Sequence, residues 1–319
     1  MATIAENIQT LRSIKSDIKN AIIQKGGSVT DAFGTYAQAI TNLPSGGGGG
    51  TEIEDALVTR DLSGIYYNNR VSIVGSYAFA NNWRLSSINL PNCKQLNNYA
   101  IAFCGSLLSI SVPNVTNLEG YAFRGCRALP SIDLPLCTNV DYSVFQSCSA
   151  LSTVNLPLCT YIGYAAFQYC VNLTSVNLPK VKSLPGYVFS GCSALVSVNL
   201  PNCISIADYT FYRCYSLTTV SLPLCTKLGG YGVFTECYSL ISINIPNCIS
   251  IGYGVFQSCT NLKEVYLNSV TSVTTISSTT FSKCPNLTSV YVPASLVDAF
   301  KTAEYWSSIT DKIVAYTGA

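Results

Sequence analysis

The chain has 319 residues, 48% of them hydrophobic and only 11% charged, with a net charge of +2. That is enough apolar material for a large core and too little positive charge for a nucleic-acid or anionic-membrane partner. Histidine is absent altogether, which removes the commonest general base and metal ligand together, and no apolar run is long enough to insert across a membrane.

In chain order, the first predicted element is a helix over residues 3–24, where Ile4, Ile8, Leu11, Ile14, Ile18 and Ile22 recur at helical spacing with charges between them. Gly26 and Gly27 stop it, and "SVTDAFGTYAQAITNLP" predicts a second, shorter helix ending near Asn42. A segment this short with a single apolar stripe is poor material for an independent core. Residues 1–43 are therefore expected to form a small helical attachment segment that packs on copies of itself or on another protein. "SGGGGG", within residues 44–51, reads as a flexible linker. The charges scattered through the first twenty positions do not resemble a secretion signal, so the expectation is a protein made in a reducing cytoplasm.

Beyond the linker the sequence repeats itself. Phe79, Phe103, Phe123, Phe145, Phe167, Phe189, Phe211, Phe234, Phe256 and Phe281 fall mostly 22 residues apart, a period that signals a solenoid. Within one unit Phe145 is followed by Cys148, Leu151, Val154, Leu156, Pro157, Cys159 and Ile162. The next unit but one repeats these columns as Phe189, Cys192, Leu195, Val198, Leu200, Pro201, Cys203 and Ile206. Alternation in "LSTVNLP" predicts a short strand with Leu and Val on one side and small polar residues on the other, ended by a proline that cannot donate to a ladder. One unit has nothing to bury its apolar side chains against, so the units must stack at about 4.8 Å per strand.

The "AFxxCxxLxxVxLPxC" pattern, recurring over roughly residues 71–292, resembles the BspA-type leucine-rich repeats. The resemblance implies a right-handed α/β repeat solenoid, with ten short parallel strands on one face and irregular coil on the other. Its domains would be residues 52–292, the solenoid with an N-terminal cap, and residues 293–319, a C-terminal cap of helix plus strand. The units at Phe103 and Phe281 depart in length, and "VPNV" and "LPKV" lack the second cysteine, so the coil is expected to be locally irregular there. In the C-terminal segment Leu296, Val297, Phe300 and Trp306 are expected to form one helix face over the last coil, with "KIVAY" as a final strand.

Fourteen of the 15 cysteines fall into two interleaved columns. Cys126, Cys148, Cys170, Cys192 and Cys214, extended by Cys237, Cys259 and Cys284, form one; Cys93, Cys137, Cys159, Cys203, Cys225 and Cys248 form the other. In-register side chains keep their Cβ atoms near the strand spacing, wider than a disulfide's usual 3.5 to about 4.5 Å. No CxxC pair or histidine offers a metal site. The expected role is that of small, buried, inert thiols.

Outward strand positions such as Ser131, Asp133, Thr153, Asn155, Ser197 and Asn199 read as a solvated surface, changed only at the end by Glu264, Tyr266 and Tyr291. A tyrosine precedes the phenylalanine in nine units, at an offset that wanders between two and four residues: Tyr77, Tyr99, Tyr121, Tyr142, Tyr164, Tyr187, Tyr209, Tyr231 and Tyr253. For this column an aromatic ladder packing on itself is the preferred reading. Ligand contact, including stacking on sugars, is assigned to Tyr161, Tyr169, Tyr212, Tyr215, Tyr238, Tyr266 and Tyr291. No catalytic, cofactor or metal site is expected: acids are sparse, and Asp133 and Asp141 in one coil read as a solvated pair.

A short "IKNAIIQKG" helical segment and a glycine linker ahead of such repeats, together with "DLSGIYYNNRVSIVGSYAF" at their start, resemble proteins encoded by phages and prophages of gut bacteria. That resemblance implies a non-enzymatic virion protein, assembled in the host cytoplasm. Its N-terminal segment would dock on other tail proteins and its solenoid would bind a bacterial surface glycan or protein, with a trimer as the expected homo-oligomer. The alternative is a bacterial cell-surface adhesin.

Overall fold

The computed structural model describes residues 62–318, together with the backbone of the strand Glu52–Ile53. Ile4, Ile8, Leu11, Ile14, Ile18 and Ile22, with the expected attachment segment and linker, lie outside the described residues.

Each repeat contributes two strands until the longer coil before Phe281, where an isolated bridge from Thr275 to Ser250 replaces the second, and every strand pair is parallel. The alternating "SVN" segments form the longer ladder. It runs from Gly64–Tyr67 and Leu85–Asn89 through Thr153–Asn155 and Ser197–Asn199 to Ser289–Pro293 and Ile313–Tyr316, in successive three-, two- and seven-stranded sheets. Register is held residue on residue, as in Ser175↔Ser197, Val176↔Val198 and Asn177↔Asn199. A second, shorter ladder is built from two-residue strands such as Asn139–Val140, Tyr161–Ile162 and Ser205–Ile206, in six- and four-stranded sheets.

The side of the coil expected to be irregular is therefore ordered. Beyond the shorter ladder, the arc that carries the phenylalanine also bonds from coil to coil: Ser143, Phe145 and Ser147 donate their N–H groups to the carbonyls of Tyr164, Ala166 and Gln168, each at 2.8 Å. Coils of equal length keep backbone donors and acceptors facing one another all the way round, and buried backbone groups need those partners. Helix among the described residues is confined to the C-terminal region, in Val297–Thr302 and two short 3-10 segments.

Inside, the columns are continuous. Phe123, Phe145, Phe167, Phe189, Phe211, Phe234 and Phe256 are fully buried, and each ring lies nearly parallel to the next with centroids 5.2–5.7 Å apart. Tyr66 packs edge-on against Phe79 at the start of the stack, and Trp306 covers Phe281 and Phe300 at its end while donating its indole N–H to the Thr274 carbonyl at 2.7 Å.

Four expectations need correction. The buried slot between Phe79 and Phe123 belongs to Ile101, and Phe103 sits two residues further on, in a left-handed conformation, 43% exposed. The period of 22 lands on Ile101; only the residue type pointed to Phe103. With that slot reassigned the unit has ordinary length, and the tyrosine offset narrows to two or three residues. Coils lacking the second cysteine are also regular, because Val115 and Val181 fill its place, fully buried, with the turn bond of their neighbours. Before Phe281 the extra residues are real, and the longer coil is closed by buried hydroxyls, with Thr274 donating to the Cys248 carbonyl at 2.7 Å. Finally, the C-terminal segment is not one helix face. Phe300 lies in the helix, but left-handed Tyr305 breaks the chain before Trp306 starts a separate 3-10 turn. Leu296 and Val297 are only partly buried.

Fourteen of the fifteen cysteines are buried, and all fifteen are unpaired. In the first column, which also includes Cys104, each thiol donates back to a carbonyl of the preceding coil, as Cys148 does to Phe123 and Cys170 to Phe145 at 3.1 Å. In the second, Cys137 and Cys159 donate to the carbonyls of Asn139 and Tyr161, at 3.3 and 3.1 Å. A thiol here is a small hydrophobe with one weak donor to satisfy.

Truncating Phe167 to Ala should destabilise by about 3–5 kcal/mol, and Ile101→Ala by about 2–5 kcal/mol, whereas Phe103→Ala should change stability by less than about 1 kcal/mol. Urea unfolding followed by circular dichroism checks this; equal losses at Phe103 and Phe167 would contradict the column assignment.

A second outcome follows from the thiols. Burial pushes Cys104, Cys137 and Cys148 up to about 12, and Cys93 and Cys159 to about 11. The unfolded thiol titrates near about 8.5, so the unfolded state loses protons first and the folded state keeps them. This contribution is complete below about pH 8.5 and is lost as pH rises toward 11–12, at up to about 1.4 kcal/mol per pH unit for each buried thiol. Thermal melts at intervals from pH 7 to 11 should show a steep alkaline fall, absent from a variant carrying Ala or Val at several of these positions.

Candidate functional site

The tyrosine column stands on the arc outside the phenylalanine stack. Where the tyrosine lies two residues before the buried slot, as at Tyr77, Tyr99, Tyr121, Tyr187 and Tyr209, it adopts the left-handed conformation itself. Where it lies three residues before, the next residue adopts it instead: Ser143, Ala165, Gly232 and Gly254. The backbone requirement is constant and the ring alternates about it, so no single buried slot could hold every ring.

The rings pack on one another in three groups, face to face at Tyr77–Tyr99–Tyr121 and Tyr231–Tyr253, tilted at Tyr164–Tyr187–Tyr209 and edge-on at Tyr121–Tyr142. Tyr77, Tyr99, Tyr121 and Tyr142 form the first, with centroids 4.5–4.9 Å apart; Tyr164, Tyr187 and Tyr209 form the second at 5.1–5.4 Å; Tyr231 and Tyr253 form the third at 5.6 Å. The first ends because Tyr142 folds back over Gly120, where a Cβ would overlap its ring, and donates to Asn98 Oδ1 at 3.3 Å. The second ends at an insertion: Phe211 and Phe234 are 23 residues apart, and the extra residue falls in Gly229–Gly230. Asp208 Oδ1 accepts the N–H groups of Gly230 (2.6 Å) and Tyr231 (3.0 Å), which pins the resulting bulge.

At this second break a cleft of about 340 Å³ opens. Tyr209, Tyr212, Tyr231 and Tyr253 line it, together with Glu236, Gln257 and Lys283. Arg213 lies 4.8 Å over the Tyr212 ring and pairs with Glu236 at 3.1 Å, and that carboxylate raises the guanidinium's affinity for its proton.

The seven tyrosines singled out from the sequence do not form one surface. Tyr212 lines the cleft; Tyr215 and Tyr238 stack face to face beside it at 5.2 Å, and Tyr238 donates to Glu236 Oε2 at 3.2 Å. Tyr161 is exposed on the shorter ladder, and Tyr169, left-handed, lies against Gly191. Tyr266 and Tyr291 are elsewhere, stacked at 4.7 Å on the outward face of the long ladder, with Tyr316 edge-on to both. Glu264 accepts from both phenols, and its hydrogen bond, with burial second, pushes Tyr266 up to about 12.

Toward the middle of that ladder the outward residues form a shallow trough of about 410 Å³, with Ser197, Asn199, Thr219 and Asn244 among its lining. Side chains bond along the strand stack there, as Asn199 does to Asn177 at 2.9 Å. Tyr209, Tyr231, Tyr253, Glu236, Gln257 and Lys283 line the cleft although the sequence does not single them out as a site. The legible signal was the 23-residue spacing beside the double glycine.

Among the described residues no group of three acids or cysteines is placed to hold a metal ion, and no helix is long and apolar enough to cross a membrane.

Comparison with known proteins matches residues 72–196 and 182–308 to the family model of the BspA type leucine rich repeat region, in six copies. No curated protein matches. Among solved structures, a leucine-rich repeat protein from Bacteroides ovatus is 22% identical, with 81% of this chain and 85% of that one covered at a TM-score of 0.40. A leucine rich cell surface protein from Faecalibacterium prausnitzii is 20% identical, with coverage of 84% and 86% and a TM-score of 0.44. The leucine rich repeat protein of T. pallidum is 25% identical over 60% of this chain and 79% of its own, with a TM-score of 0.40. With its repeat matched over more than half its length, the chain belongs to the BspA-type leucine-rich repeat family.

Proposed function

We infer that the protein is a recognition and adhesion scaffold rather than an enzyme, and that its solenoid binds a polymer or protein on a bacterial surface. One observation carries this reading: rings that are costly to expose are displayed from coil to coil on the outside of a predominantly apolar core. Exposed aromatic rings give large contact area at low conformational cost, and a rigid support lowers that cost further. The family match, to a repeat region and not to an enzyme family, agrees with a binding scaffold.

The finer proposal is that residues 1–43 attach this scaffold to a phage or prophage virion through other tail proteins, with residues 44–51 as a loose joint. It rests on the helical stripe from Ile4 to Ile22 and on the glycine run. Self-association through the stripe, as a trimer, belongs to the same proposal. A surface adhesin of a bacterial cell is the second reading, favoured by the family itself.

Fluorescently labelled full-length protein and a deletion of residues 1–45 should bind the same gut bacterial cells to the same extent, read by flow cytometry. Light scattering should show the higher mass only for the full chain. Loss of cell binding on deletion would move recognition away from the solenoid, and an unchanged oligomeric mass would remove the attachment role from the N-terminal segment.

A further inference from the structure

We propose that the cleft between Tyr209 and Tyr231 is a glycan subsite, taking one pyranose residue against its tyrosine rings. This rests on the recognition reading above and names the chemistry of what is recognised.

Elsewhere in the tyrosine column the rings use one another as partners. At the inserted glycine the stack stops, so rings from both flanking groups border the same open volume. The opening is shaped by the bulge, which is tied to Asp208 by two backbone hydrogen bonds, and by Gly232, where a Cβ would overlap the Tyr209 ring that rests there. Gly252, one coil on, is required by the same bulge: a Cβ there would overlap the Gly229 carbonyl oxygen. A site shaped in advance spares a ligand the ordering cost.

Its polar groups are also left over. In the position following the buried phenylalanine, Gln146 donates its amide to Gln168 in the next coil. Gln257 holds the same position in its own coil, but its column neighbours are Thr235 and Ser282, and no side-chain hydrogen bond to its amide is found among the described residues. Both bonds to the Glu236 carboxylate fall on Oε2, from Arg213 and Tyr238, which leaves Oε1 to accept from a ligand. Lys283 has no ion pair among the described residues.

An open cleft with flat aromatic walls, an amide, a carboxylate oxygen and an ammonium group matches a pyranose. The sugar has a C–H face that packs on a ring and hydroxyls that need both donors and acceptors. The volume sits at the lower end of the range for ligand clefts, about 300 Å³. A peptide anchor fits less well, since no Leu, Ile, Val or Phe lines the cleft. A metal ion is disfavoured because the one carboxylate is already paired with Arg213. Lys283 at the rim further favours a sugar bearing a carboxylate.

The test titrates the full chain with maltotriose, cellotriose, chitotriose and trigalacturonate by isothermal calorimetry, with saturation-transfer NMR for weak binding. Trigalacturonate is expected to bind most tightly. Tyr231→Ala and Gln257→Ala should each weaken binding about tenfold or more, the change made by about 1.4 kcal/mol, with Tyr77→Ala and Tyr291→Ala unchanged. Lys283→Ala should remove only the preference for trigalacturonate. Two cleft variants, both with exposed or partly exposed side chains and checked by circular dichroism, guard against a folding defect. Binding of none of the four probes at millimolar concentration overturns the proposal, as does binding indifferent to Tyr231 and Gln257. Applied to bacterial cells, the same variants separate the two claims: cells bound equally by native and variant protein sink the cleft alone, and cells bound by neither sink the recognition reading.

Discussion

The structure depends on one constraint: every coil must hand its backbone hydrogen bonds to the next at the same point of the turn. Parallel pairing in exact phase, as in Val176 on Val198 on Val220, places like residue on like residue along the whole axis. Everything repeated in the sequence then becomes a line in space. Phenylalanine becomes a stack of parallel rings, cysteine a file of buried thiols, and serine or asparagine a file of side chains bonded to their own kind. Such contacts are limited to neighbours, so stability accumulates coil by coil, and the ends need different residues: Tyr66 at one and Trp306 at the other.

Much of this was legible because periodicity and burial share a cause. The alternation of "LSTVNLP" names the long ladder, and the recurrence of Phe145 and Phe167 names the stack. What escaped notice lay where residue type and position disagree. Phe103 looks like a core residue and is not, whereas Ile101 does not match the pattern and fills the slot. The shorter ladder was invisible for another reason: two residues such as Tyr161–Ile162 are too few to alternate, and their order comes from the neighbouring coils, not from their own sequence.

The tyrosines show the same limit on the functional side. Their recurrence was plain, and stacking within the column follows from it. The cleft depends instead on two departures from recurrence: the single additional residue at Gly229–Gly230, where the run of tyrosine rings stops, and a glutamine at position 257 whose column neighbours, Thr235 and Ser282, carry no amide. In a repeat protein, regular units supply the support, and individuality resides in the exceptions. The tyrosine that alternates between two offsets illustrates how narrow that freedom is: the ring can move, but a left-handed residue must remain before each buried side chain.

The files of thiols carry a consequence for the protein's lifetime. While the coils are closed, each sulfur is shut away and bonded to a carbonyl, and oxidants meet none of the fourteen that are fully buried. Once a stretch of coils opens, several thiols appear together, close enough along the chain to bridge wrongly or to join other molecules, and such bonds prevent the coils from closing in register again. Damage would start at the C-terminal end, where Cys284 is already less covered than the rest. In oxidising surroundings the molecule's persistence is thus governed by how seldom its end coils fray, a matter of rates and not of equilibrium.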